Sequence, residues 1–274
     1  MVVVVMALLC STALFADSSG VGLEPSESVG VDMGQKIATQ IYNYPLNSPA
    51  MEQARKALKK HHGGQNNFLV LGERFEQVIT NEKPQYNWEA QAWYGGDLNK
   101  AWFKTEGEYS AAESAIEEAE LQFLYSRAIS AFWDVQTGVR QDFKPHPSRT
   151  YGVIGVQGLA PHWFEVDAAL FVSNKGDVSS RLEAEYELRI TQRLIFQPRL
   201  ELNTAFSEDA EIGSGTGVND LDIGVRLRYE FSRQFAPYIG VGWRRLFSDT
   251  ADLAETSRED SDRFSLLLGV RMWF

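Results

Sequence analysis

The stretch SRLEAEYELRI, Ser180–Ile190, alternates between apolar and polar residues along its whole length. A period of two places the apolar side chains on one face of a β-strand and the charged ones on the other. The stretch is about twice as long as the usual strand of roughly 5–6 residues in a globular sheet, and it matches a tilted crossing of a bilayer. It therefore predicts a transmembrane strand. The apolar face holds Leu182, Ala184, Tyr186, Leu188 and Ile190, and the polar face Arg181, Glu183, Glu185, Glu187 and Arg189.

The same alternation recurs through residues 68–274. It predicts twelve strands, near 69–79, 86–94, 100–110, 116–127, 131–143, 148–158, 162–173, 177–190, 194–206, 219–231, 235–248 and 262–274. An even number is typical of bacterial outer-membrane barrels, which join their strands by short periplasmic turns and longer external loops. The predicted connections are short on the side of the C-terminus, and the long ones, Ser207–Val218 and Ser248–Ser261, lie on the other side. The fold class is therefore all-β, an antiparallel transmembrane β-barrel of about 12 strands, with both termini in the periplasm.

The first 67 residues differ from the rest. Met1–Ala16 (MVVVVMALLCSTALFA) is apolar and ends on small residues, as a secretory signal peptide does. Its removal would take away Cys10, the sole cysteine, which excludes cysteine catalysis and disulfides in the mature chain. Residues 17–67 are rich in glycine and proline, and we expect a short flexible N-terminal arm there. It holds one possible helix, with Ser48 as N-cap, Pro49 at the first position and Met51 to Lys60 as its body.

The net charge is −11, from 37 acidic and 26 basic residues, which disfavours nucleic acid as a partner. The arm is neutral, so the whole excess lies in the predicted barrel, where ionic residues crowd the inward faces of the strands. Two interpretations of the interior stay open: a salt-bridged plug that holds the barrel closed, or a narrow path that attracts cations. The acidic candidates for lining such a path are Glu106, Glu108, Glu183, Glu185, Glu187 and Glu201.

A catalytic role needs a constellation of residues that this chain scarcely offers. It has four histidines, and only His146, near Ser148 and Asp142, resembles part of a hydrolase site. The prolines on either side, Pro145 and Pro147, are equally typical of a turn. We therefore expect a protein that is not an enzyme, and an outer-membrane barrel hydrolase remains an alternative.

Several long stretches resemble the copper resistance protein B family. They are AQAWYGGDLNKAWFKTEGE (Ala90–Glu108), LYSRAISAFWDVQTGVRQDF (Leu124–Phe143), the run Ser148–Asn203, DLDIGVRLRYEFSRQFAPYIGVGW (Asp220–Trp243) and the terminal GVRMWF. The resemblance covers residues 68–274. It implies an outer-membrane barrel, in contact with outer-membrane lipid, that acts in periplasmic copper handling and copper resistance. Copper would be a bound or exported ion rather than a catalytic cofactor.

Members of that family often carry a stretch rich in methionine and histidine before the barrel, because thioether and imidazole groups suit copper. This chain lacks a repeated methionine motif, and the arm offers only Met33, Met51, His61 and His62 as candidate metal ligands. Carboxylates alone would not select copper. The hypothesis is that the arm receives copper from a periplasmic carrier protein and that the acidic lumen conducts or stores it. A general small-solute pore without a copper role is the alternative.

Overall fold

The computed structural model describes residues 49–62, 65–80, 84–111, 113–212, 214–247, 250–251 and 261–274. The predicted signal peptide, Met33 and the first part of the predicted arm lie outside these residues. The helix α1 spans Pro49–His62, so it begins at the predicted first position and ends two residues after the predicted Lys60. Proline suits its first turn, where a missing N–H costs nothing, and Glu52 places a negative charge in the same turn. None of the described helices is long and apolar enough to cross a membrane.

The rest of the described chain is almost entirely sheet. In chain order the strand segments are β1 (Asn67–Ile79), β2 (Gln85–Gly95), β3 (Asn99–Ser110), β4 (Ala115–Ala128), β5 (Trp133–Lys144), β6 (Arg149–Ala160), β7 (Phe164–Ser173), β8 (Val178–Tyr186), β9 (Leu188–Arg189), β10 (Leu194–Ala205), β11 (Gly217–Tyr229), β12 (Phe235–Leu246) and β13 (Asp262–Trp273). Only Glu187 separates β8 from β9, and both pair with β10. The two segments are therefore one interrupted strand, and the barrel has twelve strands.

The sheet closes on itself. Each strand pairs antiparallel with the next, and β1 pairs antiparallel with β13, for example Gly72 with Met272. Backbone hydrogen bonds of 3.1 and 2.8 Å also join Val70 and Phe274. Closure leaves no sheet edge unpaired, as a membrane requires. The predicted fold class, a closed twelve-stranded antiparallel barrel, is confirmed.

Short connections gather at one end of the barrel, which we name the turn end. They comprise residues 96–98, 129–132, 190–193 and 230–234 and the 3₁₀ turn Pro161–Trp163. The start of β1 and the end of β13 lie at this end too, because an even number of antiparallel strands returns the chain to the side from which it began. The opposite end, the loop end, carries the two longest connections, 206–216 and 247–261, together with four connections of four or five residues.

The interruption of the strand at Glu187 has a local cause in its neighbour β10. Pro198 stands in β10 next to Gln197, which the register places opposite Glu187, and it has no N–H to donate to the ladder. The regular pairing resumes at Arg199 with Glu185 on one side and at Phe196 with Leu188 on the other. Proline is confined to such irregular positions in sheets.

Alternation sorts the side chains between the two surfaces of the barrel. In β6, for example, Val153 is 5% exposed whereas its neighbour Ile154 is 57% exposed and faces outward. The interior is not uniformly ionic, however. One part of its wall holds a cluster of buried apolar side chains, Trp102, Leu124, Tyr151, Val153 and Phe171. The sequence predicts that most apolar residues face lipid. The structure differs in this part of the wall, where an apolar cluster faces inward.

Candidate functional site in the barrel lumen

A connected set of salt bridges fills the middle of the lumen. We name it the central ion network, and its members are Arg74, Arg140, Arg181, Arg199, Glu89, Glu106, Glu120, Asp142, Glu183 and Glu201. Six carboxylates and four guanidinium groups give it a formal charge of 4 − 6 = −2. Arginine suits this role because its planar group holds several oxygens at once and stays charged when buried.

Arg181 ties opposite walls of the barrel together. It projects from β8, and its guanidinium lies 2.9 Å from Glu106 of β3 and 3.1 Å from Glu120 of β4. These strands are four and five positions away from β8 around the wall, so the side chain crosses the interior. Glu201 of β10 lies 3.6 Å from the same group. The Arg181 side chain is only 15% exposed, so the surrounding side chains largely enclose it.

The strand register explains why carboxylates in the lumen need arginine partners. Glu89, Glu106 and Glu120 stand directly opposite one another on β2, β3 and β4. Like charges in such positions destabilise a sheet unless a counter-charge lies between them. Arg74 supplies one by pairing with Glu89 and, at 2.9 Å, with Glu106, and Arg181 supplies the other.

A second crossing comes from Arg199 on β10. It lies 2.9 Å from Glu183 and 3.7 Å from Glu89, which is on the other side of the lumen. Its Nη1 atom is buried and has no hydrogen-bond partner among the described residues. Arg181 and Arg199 thus each contact carboxylates on both walls. This is the arrangement of a closed septum rather than of an open channel.

A separate cluster lies nearer the turn end. Glu187 accepts hydrogen bonds of 2.7 Å from both Arg228 and Arg271. Glu185 lies 4.0 Å from Arg271 and also accepts a hydrogen bond from Gln197. The triple Glu183–Glu185–Glu187, which the sequence singled out, is therefore fully engaged with arginine.

Glu108 differs from the other five acidic candidates. It is 7% exposed, on β3 toward the loop end, and forms no salt bridge with any described residue. It borders a cavity of about 40 Å³ together with Asn87, Asp222 and Arg244. The buried Oδ1 of Asn87 receives no hydrogen bond from the described part of the chain. The Glu108 carboxylate and the Asn87 Oδ1 thus face the interior on the loop-end side of the central ion network, and Arg244 and Arg263 line the same cavity.

Sequence reasoning missed Glu73 and Arg74. The pairing of β1 shifts between Gly72 and Arg74, so that a bulge turns two successive side chains into the lumen. Glu73 accepts a hydrogen bond from Gln91 there, and Arg74 joins the central ion network. Strict alternation would have sent one of the two into lipid. The available signal was Gly72 itself, since a glycine within a strand often marks a bulge.

The candidate copper ligands of the arm lie on or before α1. Met51 is in the first turn of the helix, and the backbone of His61 and His62 forms its last two residues. Met33 precedes the described residues. Within the parts of the chain that the structure describes, no group of three or more His, Cys, Asp or Glu side chains has the arrangement of a metal site.

The hydrolase candidate does not assemble in the structure. His146 lies in the turn between β5 and β6, and in the described residues no hydrogen bond joins it to Ser148 or Asp142. Asp142 instead accepts hydrogen bonds of 2.6 and 2.8 Å from Arg140.

The connection 206–216 is tied to the barrel wall at the loop end. Arg149, at the start of β6, lies 3.0 Å from Asp209 and 2.7 Å from Glu211, and Lys175 lies 2.6 Å from Glu211. Hydrogen bonds from Lys175 and Arg149 lower the pKa of Glu211 below its ordinary value. This loop therefore stays fastened over the wall while Glu211 is ionised.

Comparison with known proteins places these features in a family. A family model described as copper resistance protein B precursor (CopB) matches residues 66–274. Copper resistance protein B of Escherichia coli is 41% identical over 232 residues, which cover 82% of this chain and 78% of that protein. A copper resistance protein B homolog of Pseudomonas syringae pv. tomato is 38% identical over the same shares of both chains.

Solved structures of similar chain path are distant in sequence. The NanC porin has a TM-score of 0.49 at 13% identity, covering 75% of this chain and 99% of that chain. The KdgM porin has a TM-score of 0.46 at 10% identity, with the same coverage. These likenesses carry no information about what this chain binds. The family model and the two relatives show that the chain belongs to the copper resistance protein B family.

Proposed function

We propose that this chain acts in copper tolerance at the outer membrane and that copper ions are the cargo of its lumen. The observation that supports this proposal is the central ion network, whose six carboxylates outnumber its four arginines. A formal charge of −2 in a narrow, poorly hydrated interior attracts cations and repels anions. Toward the loop end, Glu108 and the buried Oδ1 of Asn87 border a cavity whose wall also holds four arginines, so this part of the lumen adds no acidic excess.

The arginines give the lumen a closed resting state. A cation that enters must compete with Arg181 and Arg199 for the carboxylates, so passage is slow and requires the salt bridges to exchange partners. A neutral solute gains nothing from displacing an arginine and meets the same obstruction. This distinguishes the proposal from a general small-solute pore.

Selection of copper needs softer ligands than carboxylates. Imidazole and thioether groups supply them, and the candidates in the sequence of the N-terminal segment are His61, His62, Met51 and Met33. We place this segment and the C-terminus in the periplasm, because the short turns of bacterial barrels lie on that side. There the segment receives copper, and a periplasmic carrier protein is the natural donor. The chain has no catalytic role in this scheme.

The test is copper survival of a deletion strain that carries plasmid-borne variants of the full chain. The wild-type chain should restore growth at high copper, and the double variant His61→Ala/His62→Ala should restore it only in part. The matched control is His146→Ala/His162→Ala, which removes the other two histidines and should behave as wild type. Equal survival with all three chains would reject the histidine assignment. Survival that does not depend on the chain at all would reject the copper role itself.

A further inference from the structure

A groove runs along the outer surface of the barrel between β4 and β5, at the turn end. Tyr125, Arg127 and Ile129 border it on one side, and Val135 and Thr137 form its floor. Its volume is about 560 Å³, within the range of ligand sites in proteins. The groove is external, because Tyr125 and Arg127 alternate along β4 with the fully buried Leu124 and Ser126.

The groove arises from a mismatch in side-chain size between the two strands. In the ladder, Tyr125 stands opposite Thr137, and Arg127 stands opposite Val135. Two large side chains therefore face two small β-branched ones, which leaves a hollow on the lipid side. The Thr137 hydroxyl donates a 3.2 Å hydrogen bond to the carbonyl of Val153, so it adds no unsatisfied polar group. The floor is apolar in character and fits an acyl chain.

One end of the groove carries the positive charge of Arg127. Arg127 is exposed, and no carboxylate in the described part of the chain pairs with it. The neighbouring Tyr125 hydroxyl is occupied, because it donates to Asn99 at 2.6 Å. Beyond Arg127 the exposed Ile129, at 62%, continues the apolar surface to the rim. A guanidinium at a membrane interface, above an apolar hollow, complements the phosphate and the acyl chain of a lipid.

We propose that this groove is a specific site for an anionic glycerophospholipid, with the headgroup phosphate on Arg127 and an acyl chain along Val135 and Thr137. The site is independent of the copper role and of the lumen. Arg245 provides the contrast. It also faces outward, but its guanidinium stacks on Phe247 at 5.5 Å and Asp262 stands opposite it in the ladder, whereas Arg127 has no such neighbours among the described residues.

Native mass spectrometry of the purified full chain in a neutral detergent tests the proposal. Phosphatidylglycerol is the probe, and phosphatidylcholine is the zwitterionic comparison. The wild-type chain should retain one phosphatidylglycerol in preference to phosphatidylcholine. Arg127→Gln should weaken its retention about fivefold, the contribution of one cationic contact with an anionic lipid surface. Arg127→Lys should largely keep it, and Arg245→Gln should equal wild type.

A second variant tests the acyl-chain part of the site. Thr137→Trp fills the hollow from an exposed position without touching the interior, and it should reduce retention of both lipids. Heat-dependent gel migration confirms that each variant is a folded barrel before it is compared. Equal phosphatidylglycerol retention by Arg127→Gln and Arg245→Gln would overturn the proposal. Full displacement of the lipid by inorganic phosphate would also overturn it, because a bare anion site would then account for the binding.

Discussion

Replacing Arg181 by glutamine removes the side chain that ties β8 to β3 and β4 across the lumen. Glu106 and Glu120 then lose contacts of 2.9 and 3.1 Å, and Glu201 loses one of 3.6 Å. The formal charge of the central ion network changes from −2 to −3. We therefore expect two effects together, a less stable barrel and a more permeable, more cation-selective lumen.

The size of the stability loss follows from burial. Removing one partner of a buried ion pair costs about 3–5 kcal/mol, because the remaining charge is left uncompensated. The Arg181 side chain is 15% exposed, and the remaining arginines of the network still contact all three of its partners. We accordingly expect a loss near the lower end, about 3 kcal/mol.

Two assays on the refolded barrel measure these effects. Urea unfolding in detergent micelles gives the free energy of unfolding, and single-channel recording in a planar bilayer gives the conductance and its ion selectivity. Arg193→Gln is the matched control, since Arg193 is exposed in the turn before β10 and forms no salt bridge with a described residue. If Arg181→Gln unfolds and conducts as the wild-type chain does, the claim that Arg181 holds the septum closed is wrong.

Two further predictions concern salt bridges outside the central ion network. Arg226→Gln removes the bidentate partner of the buried Glu76, whose contacts are 3.0 and 2.9 Å long. The free energy of unfolding, measured in urea, should fall by about 3 kcal/mol. Adding Glu76→Gln in the same chain should restore part of this loss. Arg149→Ala should speed amide hydrogen exchange in residues 206–212 and leave the strands unchanged. The pKa of Glu211 lies below its ordinary 4.5, so the salt bridge between Lys175 and Glu211 should persist as the pH falls to 4.5 and be lost only below that value. Limited proteolysis of this loop over a pH series measures the loss.

Much of the fold could be predicted because lipid imposes a simple rule. Every strand must present an apolar face to the bilayer, so the period of two persists for the whole crossing, as in Ser180–Ile190. The register and the even strand count then fix the closure of β1 on β13. A bulge interrupts the alternation. Because the register shifts at Gly72, alternation alone did not predict that Glu73 and Arg74 both face the lumen.

A single sequence cannot predict which side chains form salt bridges across the lumen. Alternation places Glu106 and Arg181 on inward faces, but it does not say that strands so distant in the sequence approach to 2.9 Å across the barrel. That contact depends on strand tilt and on the length of the arginine side chain. The inward apolar cluster around Leu124 is equally hidden, because its residues carry the same apolar signal as the lipid-facing ones.

Copper flux into liposomes that contain the purified full chain tests whether the lumen carries copper. A copper-sensitive dye inside the vesicles reports entry of the metal, and a radiolabelled neutral sugar reports general leakage. We expect copper to enter slowly through the wild-type chain and faster through Arg181→Gln, with the sugar excluded in both cases. Entry of copper and sugar at the same rate, or copper entry no faster than into empty vesicles with either chain, would contradict this expectation.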